Sequence, residues 1–403
     1  MTKIEGSGLG RSVVVLDARR TPVGRFRGAL SSLRPDDLAA LVIHDLVSRN
    51  PVLSEIAIDD VAFGAANQSG EDNRNVARMA TLLAGLPVSV PGTTLNRLCG
   101  SSLDAILYGF RSIALGEADC MIVGGVESMS RAPFVLLKPE SGFPRSLDLV
   151  DTTLGWRFTN AKMPKEWTIS MGETAEIIAQ RLKIGREEQD EFALQSHQRA
   201  VLATESHAFD AELMTVSTVH GEVSIDEGPR SDTSLESLER LKPVFQEDGS
   251  VTAGNSSTLN DGAAALILVS EELADRIGAK PIARIYGGAV AGVSPEVMGL
   301  GPVPATQRLL GRFGLGLEEL AAVELNEAFA AQSLGVLKEL HLEADDPRIN
   351  ARGGAIALGH PLGASGARIT TTLIHRLRSS GGGIGLATMC IGVGQGISLL
   401  VEV

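Results

Sequence analysis

The chain has 403 residues, 44% of them hydrophobic and 21% charged, and carries a formal net charge of −13 at pH 7. This composition predicts a globular protein of two or three domains or one duplicated domain, and its acidity argues against general affinity for nucleic acid or membranes. Three cysteines are too few for a disulfide framework, and the sequence predicts neither a signal peptide nor a membrane-spanning run of about 20 apolar residues. We therefore expect a cytoplasmic location.

The first elements alternate between strand and helix. Residues 12–22 have the apolar pattern of a buried strand that ends in a loop, residues 36–50 that of a helix, and residues 58–66 that of a second strand. This alternation predicts an α/β architecture with helices packed on a sheet.

Cys99 stands in "TLNRLCGSSLDA", between an extended segment and a run of small residues. Apolar residues follow at the spacing of an amphipathic helix: Leu103, Ile106, Leu107, Phe110 and Ile113. Cys99 would then lie at the start of this helix, where backbone N–H groups and the helix dipole lower the pKa of a thiol. Cys99 is our candidate nucleophile.

Residues 127–250 differ in composition and in hydrophobic pattern from the flanking parts of the chain. The segment begins rich in proline, glycine, serine and charge, and then contains a helical stretch over residues 185–206. Strong α/β patterning resumes at residue 260. We interpret residues 127–250 as an inserted, loop-rich subdomain that reaches over a site.

The second half of the chain repeats features of the first half. "TLNRLCGSSLDAI" places Cys99 before a helix that starts with small residues, and "ALGHPLGASGARIT" does the same with His360. "ADCMIVGGVES" and "GIGLATMCIGVGQG" each place a buried strand before a glycine-rich turn. Two matches in the same order predict a duplicated fold whose matching turns meet at one pseudo-twofold site.

His360 and Cys390 are the candidate partners of the nucleophile. Glycines and alanines around His360 leave room for a ligand, and a neutral imidazole can accept a thiol proton; a hydrogen-bonded loop histidine is the alternative. Cys390 ends an apolar run, as a core cysteine does, but we expect the following glycines to expose its sulfur. The long gap between Cys99 and Cys390 disfavours a metal or redox pair.

Asn326 follows a strand-like segment in "VELNEAFAAQ". Asparagine at such a position is most often a turn residue or a helix cap. Its amide can also donate a hydrogen bond, directly or through water, to a developing oxyanion.

With these residues assembled, the chain resembles the thiolase family over essentially its whole length. The matching stretches are "NRLCGSSLDA", "GGVESMSRAP", "MGETAE", "TAGNSSTLNDGAA", "LNEAFAAQ", "GGAIALGHPLGASGAR" and "MCIGVGQG". The resemblance implies two stacked halves that form a five-layered αβαβα core. The N-terminal half would comprise residues 1–126 and 251–279, the loop domain residues 127–250, and the C-terminal half residues 280–403.

The resemblance also implies roles for individual residues. Cys99 matches the acylated nucleophile, His360 the base that activates it, and Cys390 the acid/base that exchanges a proton with the α-carbon or with acetyl-CoA. Asn326 matches the residue that holds a catalytic water; this water and His360 would bind the thioester oxygen. The backbone N–H groups of Cys99 and Gly392 would form the second oxyanion hole.

Coenzyme A and acyl-CoA are the implied substrates, with no tightly bound cofactor and no metal. The implied coenzyme A contacts are Arg230, Ser237, Ala253, Ser257, Met171 and Phe329. An isolated arginine such as Arg230 is most often a solvated charge at the surface. However, a chain with a large negative net charge needs a local cation in order to bind an anionic ligand. A homodimer or homotetramer is also expected.

Two other functions remain as alternatives. A ketosynthase-like condensing enzyme shares the fold but usually has histidine where this chain has Cys390. A non-catalytic acyl-CoA carrier would need only the pocket and not the set of Cys99, His360, Cys390 and Asn326.

Within the thiolase family, members differ in the acyl chain of the substrate that they prefer. Residues 66–87 and 151–158 look most like 3-oxoadipyl-CoA thiolases of aromatic catabolism, with acetoacetyl-CoA or fatty β-ketoacyl-CoA thiolases as the alternative. A 3-oxoadipyl chain ends in a carboxylate, which needs a cation or polar donors past the acyl pocket. Arg157 and Arg74 are the candidates; the alternatives are a subunit interface for Arg74 and a pair with Asp151 for Arg157.

Overall fold

A computed structural model describes residues 10–403, which form fourteen strands and eleven α-helices. The strands are β1 (Val13–Arg20), β2 (Gly24–Arg25), β3 (Asp60–Gly64), β4 (Gly92–Leu95), β5 (Cys120–Ser128), β6 (Phe134–Val135), β7 (Val150–Asp151), β8 (Val216–Thr218), β9 (Gly221–Val223), β10 (Asn260–Ser270), β11 (Ala283–Gly292), β12 (Leu320–Leu325), β13 (Ile384–Ile391) and β14 (Gln395–Glu402). The helices are α1 (Pro35–Arg49), α2 (Val76–Leu83), α3 (Ser101–Ala114), α4 (Met171–Leu182), α5 (Arg186–Glu205), α6 (Leu235–Glu239), α7 (Glu271–Ile277), α8 (Pro302–Phe313), α9 (Ala330–Glu339), α10 (Ala355–Leu358) and α11 (Ser365–Ser379).

Ten strands form one sheet in the order β12-β13-β14-β11-β1-β10-β5-β3-β4, with β2 paired to β10. The same pairing pattern occurs twice in this sheet. In the first half β3 is parallel to β5, which is antiparallel to β10, which is antiparallel to β1. In the second half β12, β13, β14 and β11 repeat those relations in the same sequence. The predicted duplication is confirmed.

Three hydrophobic clusters divide the helices and the two halves of the sheet into five layers. One cluster joins α1 and α2 to the outer face of the first half, and another joins α8 and α9 to the outer face of the second half. The third cluster contains α3 and α11 between the two half-sheets. The order helix, sheet, helix, sheet, helix is the predicted αβαβα arrangement.

Strand β10 shows why its sequence is continuously apolar rather than alternating. Ala263, Ala265 and Ile267 pack against the α1 and α2 layer, while Ala264 and Leu266 pack against the central layer. A strand that is covered on both faces buries every side chain, so an apolar residue is favoured at each position.

The first turns of α3 and α11 pack directly against each other in the central layer. A Cβ atom at Gly366 would lie 2.5 Å from the backbone nitrogen of Leu103, which explains the glycine. Ser102 Oγ accepts a hydrogen bond of 2.9 Å from the N–H of Ala367. The small residues at both helix starts therefore permit the close contact between the segments that carry Cys99 and His360.

Between β5 and β10 the chain contains short strand pairs, irregular loops and helices α4 to α6. The predicted helix over residues 185–206 is α5. Within residues 10–403 no helix is both long and apolar enough to cross a bilayer. The expectation about a signal peptide concerns the extreme N-terminus, and residues 1–9 lie outside the described part of the chain.

Candidate active site

Cys99 lies in the tight turn between β4 and α3. Leu98 adopts a left-handed conformation with φ of 49°, and Gly100 is the N-cap of α3, so Cys99 precedes the cap by one position. The Cys99 sulfur accepts a hydrogen bond from the backbone N–H of Gly392. The turn thus presents the sulfur to the loop that follows Cys390.

The pKa of the Cys99 thiol is raised to about 11, chiefly by burial. Hydrogen bonds from the backbone N–H groups of Gly392 and of Cys99 itself lower this pKa, and the charge of Glu127 raises it. The predicted depression of the pKa is therefore wrong, because loss of solvation outweighs the two backbone donors. Such a thiol needs a base before it can act as a nucleophile.

His360 is buried in the turn that leads into α11. Its Nδ1 lies 2.6 Å from Ser365 Oγ, and its Nε2 lies 3.4 Å from Asn326 Nδ2. The Ser365 hydroxyl donates to the carbonyl oxygen of Pro361 at 2.9 Å. Because Ser365 has only this proton to give, we assign the ring proton to Nδ1, which leaves Nε2 as the basic nitrogen.

Burial and then the positive charge of Arg368 lower the pKa of His360 to about 3. The imidazole is therefore neutral at physiological pH. A neutral imidazole whose Nε2 holds a lone pair can accept a proton from a thiol.

Asn326 follows β12, as predicted, and its backbone N–H donates to the carbonyl oxygen of Thr388 at 3.0 Å. Its Oδ1 atom is buried and has no hydrogen-bond partner among residues 10–403. A buried amide oxygen without a protein partner is a natural acceptor for an ordered water.

Cys390 is the penultimate residue of β13 and is only 2% exposed. The expectation that the following glycines expose its sulfur is wrong, because its side chain joins the hydrophobic cluster beneath the second half of the sheet. Burial, together with the nearby Cys99, raises the pKa of its thiol. Cys99 is thus close enough to affect the pKa of Cys390, and Cys390 is the better shielded from solvent of the two.

Gly392 occupies the turn between β13 and β14, beside the Cys99 sulfur. A Cβ atom at this position would lie 2.9 Å from the indole ring of Trp156 and 3.4 Å from Leu98. Glycine therefore allows the indole to cover the turn while the backbone N–H stays directed at Cys99.

A cavity of about 280 Å³ opens onto Cys99. Its lining combines backbone and apolar groups with a few polar side chains, among them Asn67, Asn96 and Thr152. The charged residues in its lining are Glu127 and Arg157.

Glu127 was not found by sequence reasoning. It is the penultimate residue of β5 and accepts hydrogen bonds from the backbone N–H groups of Ala66, Asn67 and Gly363 at 2.9, 3.2 and 2.8 Å. Burial, with a contribution from Asp72, raises the pKa of its carboxyl to about 7. The available signal was an acidic residue near the end of an otherwise apolar strand.

Part of the predicted coenzyme A set is connected to the cavity. Met171 lines it, and Phe329 packs edge-to-face on Phe245 with ring centroids 6.2 Å apart. Phe245 lies directly against Gly172, the residue after Met171. Ser257 donates its backbone N–H to the carbonyl oxygen of Ala328 at 3.0 Å, next to Phe329.

The remaining members of that set lie at the surface. Arg230, Ser237 and Ala253 are exposed, and Ser237 takes part in the capping box of α6. The backbone N–H of Arg230 donates to His197 Nδ1 at 3.2 Å. His197 is itself buried in α5, although its sequence surroundings are polar.

The two arginines predicted to meet a distal carboxylate have different environments. Arg157 lines the cavity and donates to Asn67 and Ser69, so the pair with Asp151 is not formed. Arg74 is exposed, has φ of 66° and is not part of the cavity lining.

Two nearby cysteines and a buried neutral histidine at the junction of two matched α/β halves are typical of acyltransferases that work through a thioester on the enzyme. The chain belongs to the thiolase family. The family model described as "Thiolase, N-terminal domain" matches residues 13–272, and that described as "Thiolase, C-terminal domain" matches residues 279–403. The resemblance inferred from the sequence is thus confirmed.

Curated relatives and solved structures support the same family. The chain is 55% identical over 398 residues to the 3-oxoadipyl-CoA/3-oxo-5,6-dehydrosuberyl-CoA thiolase of Escherichia coli K12, an alignment that covers 97% of this chain and 99% of that protein. It is 54% identical over 397 residues to the beta-ketoadipyl-CoA thiolase of Pseudomonas putida, with the same coverage. Human mitochondrial 3-ketoacyl-CoA thiolase in complex with CoA has a TM-score of 0.91 at 40% identity, covering 98% of both chains.

Proposed function

We propose that this protein catalyses the reversible thiolytic cleavage of a 3-ketoacyl-CoA through an acyl-Cys99 intermediate. The observation that carries the proposal is the site around Cys99. The Gly392 N–H donates to its sulfur, Cys390 is close enough for Cys99 to affect its pKa, and the neutral His360 precedes α11, whose first turn contacts the first turn of α3. The substrate is expected to be 3-oxoadipyl-CoA, with acetyl-CoA and succinyl-CoA as products.

In the first half-reaction His360 accepts the Cys99 proton, and the sulfur attacks the 3-keto carbon of the substrate. The bond between C2 and C3 then breaks, and its electron pair forms the enolate of acetyl-CoA. Cys390 gives its proton to that carbon, so acetyl-CoA leaves while the shortened acyl group remains on Cys99.

In the second half-reaction coenzyme A gives its thiol proton to the Cys390 thiolate and attacks the acyl-Cys99 thioester. Cys99 leaves as a thiolate and recovers its proton from His360. Both thiols and the imidazole return to their starting protonation states, so the cycle consumes no other reactant.

Two groups of donors would stabilise the oxyanions. The backbone N–H groups of Cys99 and Gly392 converge on the same sulfur and are suited to the oxygen of the tetrahedral adduct. Once His360 Nε2 has accepted the Cys99 proton, its N–H and a water held by Asn326 would donate to the thioester oxygen; the unpaired Oδ1 of Asn326 supports this role.

Coenzyme A would lie along the loop domain of residues 127–250, with its pantetheine near Met171, Ala253 and Phe329 and its charged end near Arg230, Ser237 and Ser257. Two observations support this placement. Met171 lines the cavity and connects to Phe329 through Phe245, and Arg230 is an exposed cation on the same inserted segment.

We expect a cytoplasmic homodimer or homotetramer. Strand β4 forms one edge of the ten-stranded sheet described for residues 10–403, and exposed apolar side chains lie nearby on α2 and the following turn, including Leu82, Leu83 and Val88. Light scattering after size exclusion measures the oligomeric state, and a monomer at micromolar concentration would contradict the expectation.

Steady-state cleavage assays with three substrates test the proposed reaction. We expect the highest kcat/KM for 3-oxoadipyl-CoA, compared with acetoacetyl-CoA and a longer 3-ketoacyl-CoA with a methyl end. A protein that cleaves only the last two would be a thiolase of the general type, and the substrate proposal would be wrong. A protein that cleaves none of them would contradict the reaction itself.

A further inference from the structure

Arg157 is the cation in the lining of the cavity that opens onto Cys99. It lies in the irregular segment between β7 and α4, directly after Trp156, whose indole covers the Gly392 turn. The backbone thus anchors Arg157 beside the proposed reaction centre, and its side chain forms part of the cavity wall.

A single nitrogen of the Arg157 guanidinium makes all of its hydrogen bonds within the described chain. Nη2 donates to the Asn67 carbonyl oxygen and Oδ1, each at 3.2 Å, and to Ser69 Oγ at 2.9 Å. Nε and Nη1 have no hydrogen-bond partner among residues 10–403. The guanidinium is therefore held through one nitrogen, and the donors of its other two nitrogens have no partner within the described residues.

Asn67, which holds Arg157, is itself fixed by its neighbours. Its Nδ2 donates to Thr152 Oγ1 at 3.0 Å, and its backbone N–H donates to Glu127 Oε1 at 3.2 Å. The position of the guanidinium is thus set by the same network that positions the buried carboxyl near Cys99.

No carboxylate within the described residues forms an ion pair with Arg157, although the chain has 49 acidic and 36 basic residues. Asp151, a nearby acidic residue in the sequence, instead accepts hydrogen bonds from Thr153 N–H and Oγ1 at 2.8 and 2.6 Å. A half-buried cation with neutral acceptors and free donors in a substrate cavity is suited to an anionic group on the ligand.

We propose that Arg157 binds the terminal carboxylate of a dicarboxylic 3-ketoacyl-CoA and so selects carboxylate-ended acyl chains over methyl-ended chains. The inference rests on the proposed function and adds to it the residue that determines specificity. Without a cation, a terminal carboxylate in this cavity would lose its hydration with no compensating charge.

The experiment compares two substrates that differ only at the end of the acyl chain. 3-Oxoadipyl-CoA and 3-oxohexanoyl-CoA have acyl chains of equal length that end in a carboxylate and a methyl group respectively. The quantity measured is the ratio of their kcat/KM values for the wild type, Arg157→Leu, Arg157→Lys and Arg74→Leu. Arg74 is the matched control, because it is an exposed arginine outside the cavity lining.

We expect the wild type to favour 3-oxoadipyl-CoA and Arg157→Leu to lower the ratio by roughly tenfold to a hundredfold, as loss of a charge-assisted hydrogen bond predicts. Arg157→Lys retains the charge without the planar donors and should restore part of the ratio. Arg74→Leu should retain the wild-type ratio. Circular dichroism and acetyl-enzyme formation from acetyl-CoA check that each variant is folded.

Three outcomes would overturn the inference, and one of them would also contradict the proposed substrate. A wild type that prefers 3-oxoadipyl-CoA, with a ratio that Arg157→Leu leaves unchanged, contradicts the role of Arg157 alone. Equal losses on both substrates in Arg157→Leu assign the residue to holding the cavity wall. A wild type with no preference for the carboxylate-ended substrate contradicts both this inference and the proposed substrate.

Discussion

The proposed catalytic floor and the wall of the cavity are built in different ways. The floor is defined as the four proposed reacting residues, Cys99, Asn326, His360 and Cys390, of which Cys99 lines the cavity; they lie at the ends of core strands and in the turns before core helices. The wall, residues 152–157, belongs to an irregular and partly accessible segment inserted between β5 and β10. The close-packed core thus fixes the proposed reacting groups. The residues that would contact the acyl chain lie on a surface segment, whose sequence can change without disturbing the core.

The packing of the two halves explains the rigidity of the floor. Helices α3 and α11 meet through glycine and serine in their first turns, so a larger side chain there would separate the Cys99 and His360 turns. The wall has no such constraint, and its Arg157 is held by a few polar contacts. Substitutions on the floor should therefore reduce catalysis with every substrate, and substitutions on the wall should change preference.

The largest effect is expected for the two floor cysteines. Cys99→Ala should abolish the acetyl-enzyme formed from acetyl-CoA, because it removes the nucleophile. Cys390→Ala should still acylate at Cys99 but stall at carbon–carbon cleavage, since no acid protonates the enolate. Peptide mass spectrometry locates the acetyl group; acetyl on Cys390 and none on Cys99 would reverse the two roles.

His360→Ala should lower the rate of Cys99 acylation by about 10²- to 10⁴-fold, the usual range for loss of a general base. Single-turnover acylation with acetyl-CoA measures this step apart from cleavage. His44→Ala is the control, since His44 is an exposed histidine on α1. A His360 variant that acylates at the wild-type rate would remove the histidine from the proposed mechanism.

A substitution at Glu127 tests how a neighbouring charge affects the pKa of the Cys99 thiol. The pKa of its carboxyl is about 7 and that of the Cys99 thiol about 11, so Glu127 is already anionic when the thiol ionises. A negative neighbour disfavours the thiolate, and Glu127→Gln should therefore lower the pKa of Cys99, although burial, the larger cause, still holds it high. Iodoacetamide modification of the Cys99 peptide at different pH values should show a midpoint at lower pH.

The matched control for this charge is Glu222→Gln, at an exposed position in β9. It should leave the Cys99 midpoint unchanged. A midpoint that moves to higher pH in Glu127→Gln would mean that the carboxylate stabilises the thiolate, which is the opposite of the interaction described above.

The smallest effect is expected at the surface. Arg230→Ala should raise the KM for coenzyme A several-fold with little change in kcat, because an exposed ion contact contributes only about 0–1 kcal/mol. Arg240→Ala, at an exposed arginine that follows α6 and pairs with Glu236, is the comparison. Equal KM values for Arg230→Ala and the wild type would remove Arg230 from the coenzyme A site.

Local sequence patterns were enough to predict a duplicated α/β architecture and the segments that form the floor. These signals are local: an amphipathic spacing after Cys99, small residues at the starts of α3 and α11, and a polar residue directly after β12. Each follows from backbone geometry and from burial of one helix or strand face, which neighbouring residues encode.

The solvation and the charge of those residues depend on the fold and could not be predicted from local patterns. The sequence position of Cys99 predicts a low pKa, but packing around the thiol raises it, and Cys390 is buried by the cluster beneath β13 although glycines follow it. Glu127 and Arg157 meet in one cavity through Asn67, which is far from both along the chain. Solvation and charge depend on atoms brought together by long-range packing, and no local pattern in the sequence specifies those distances.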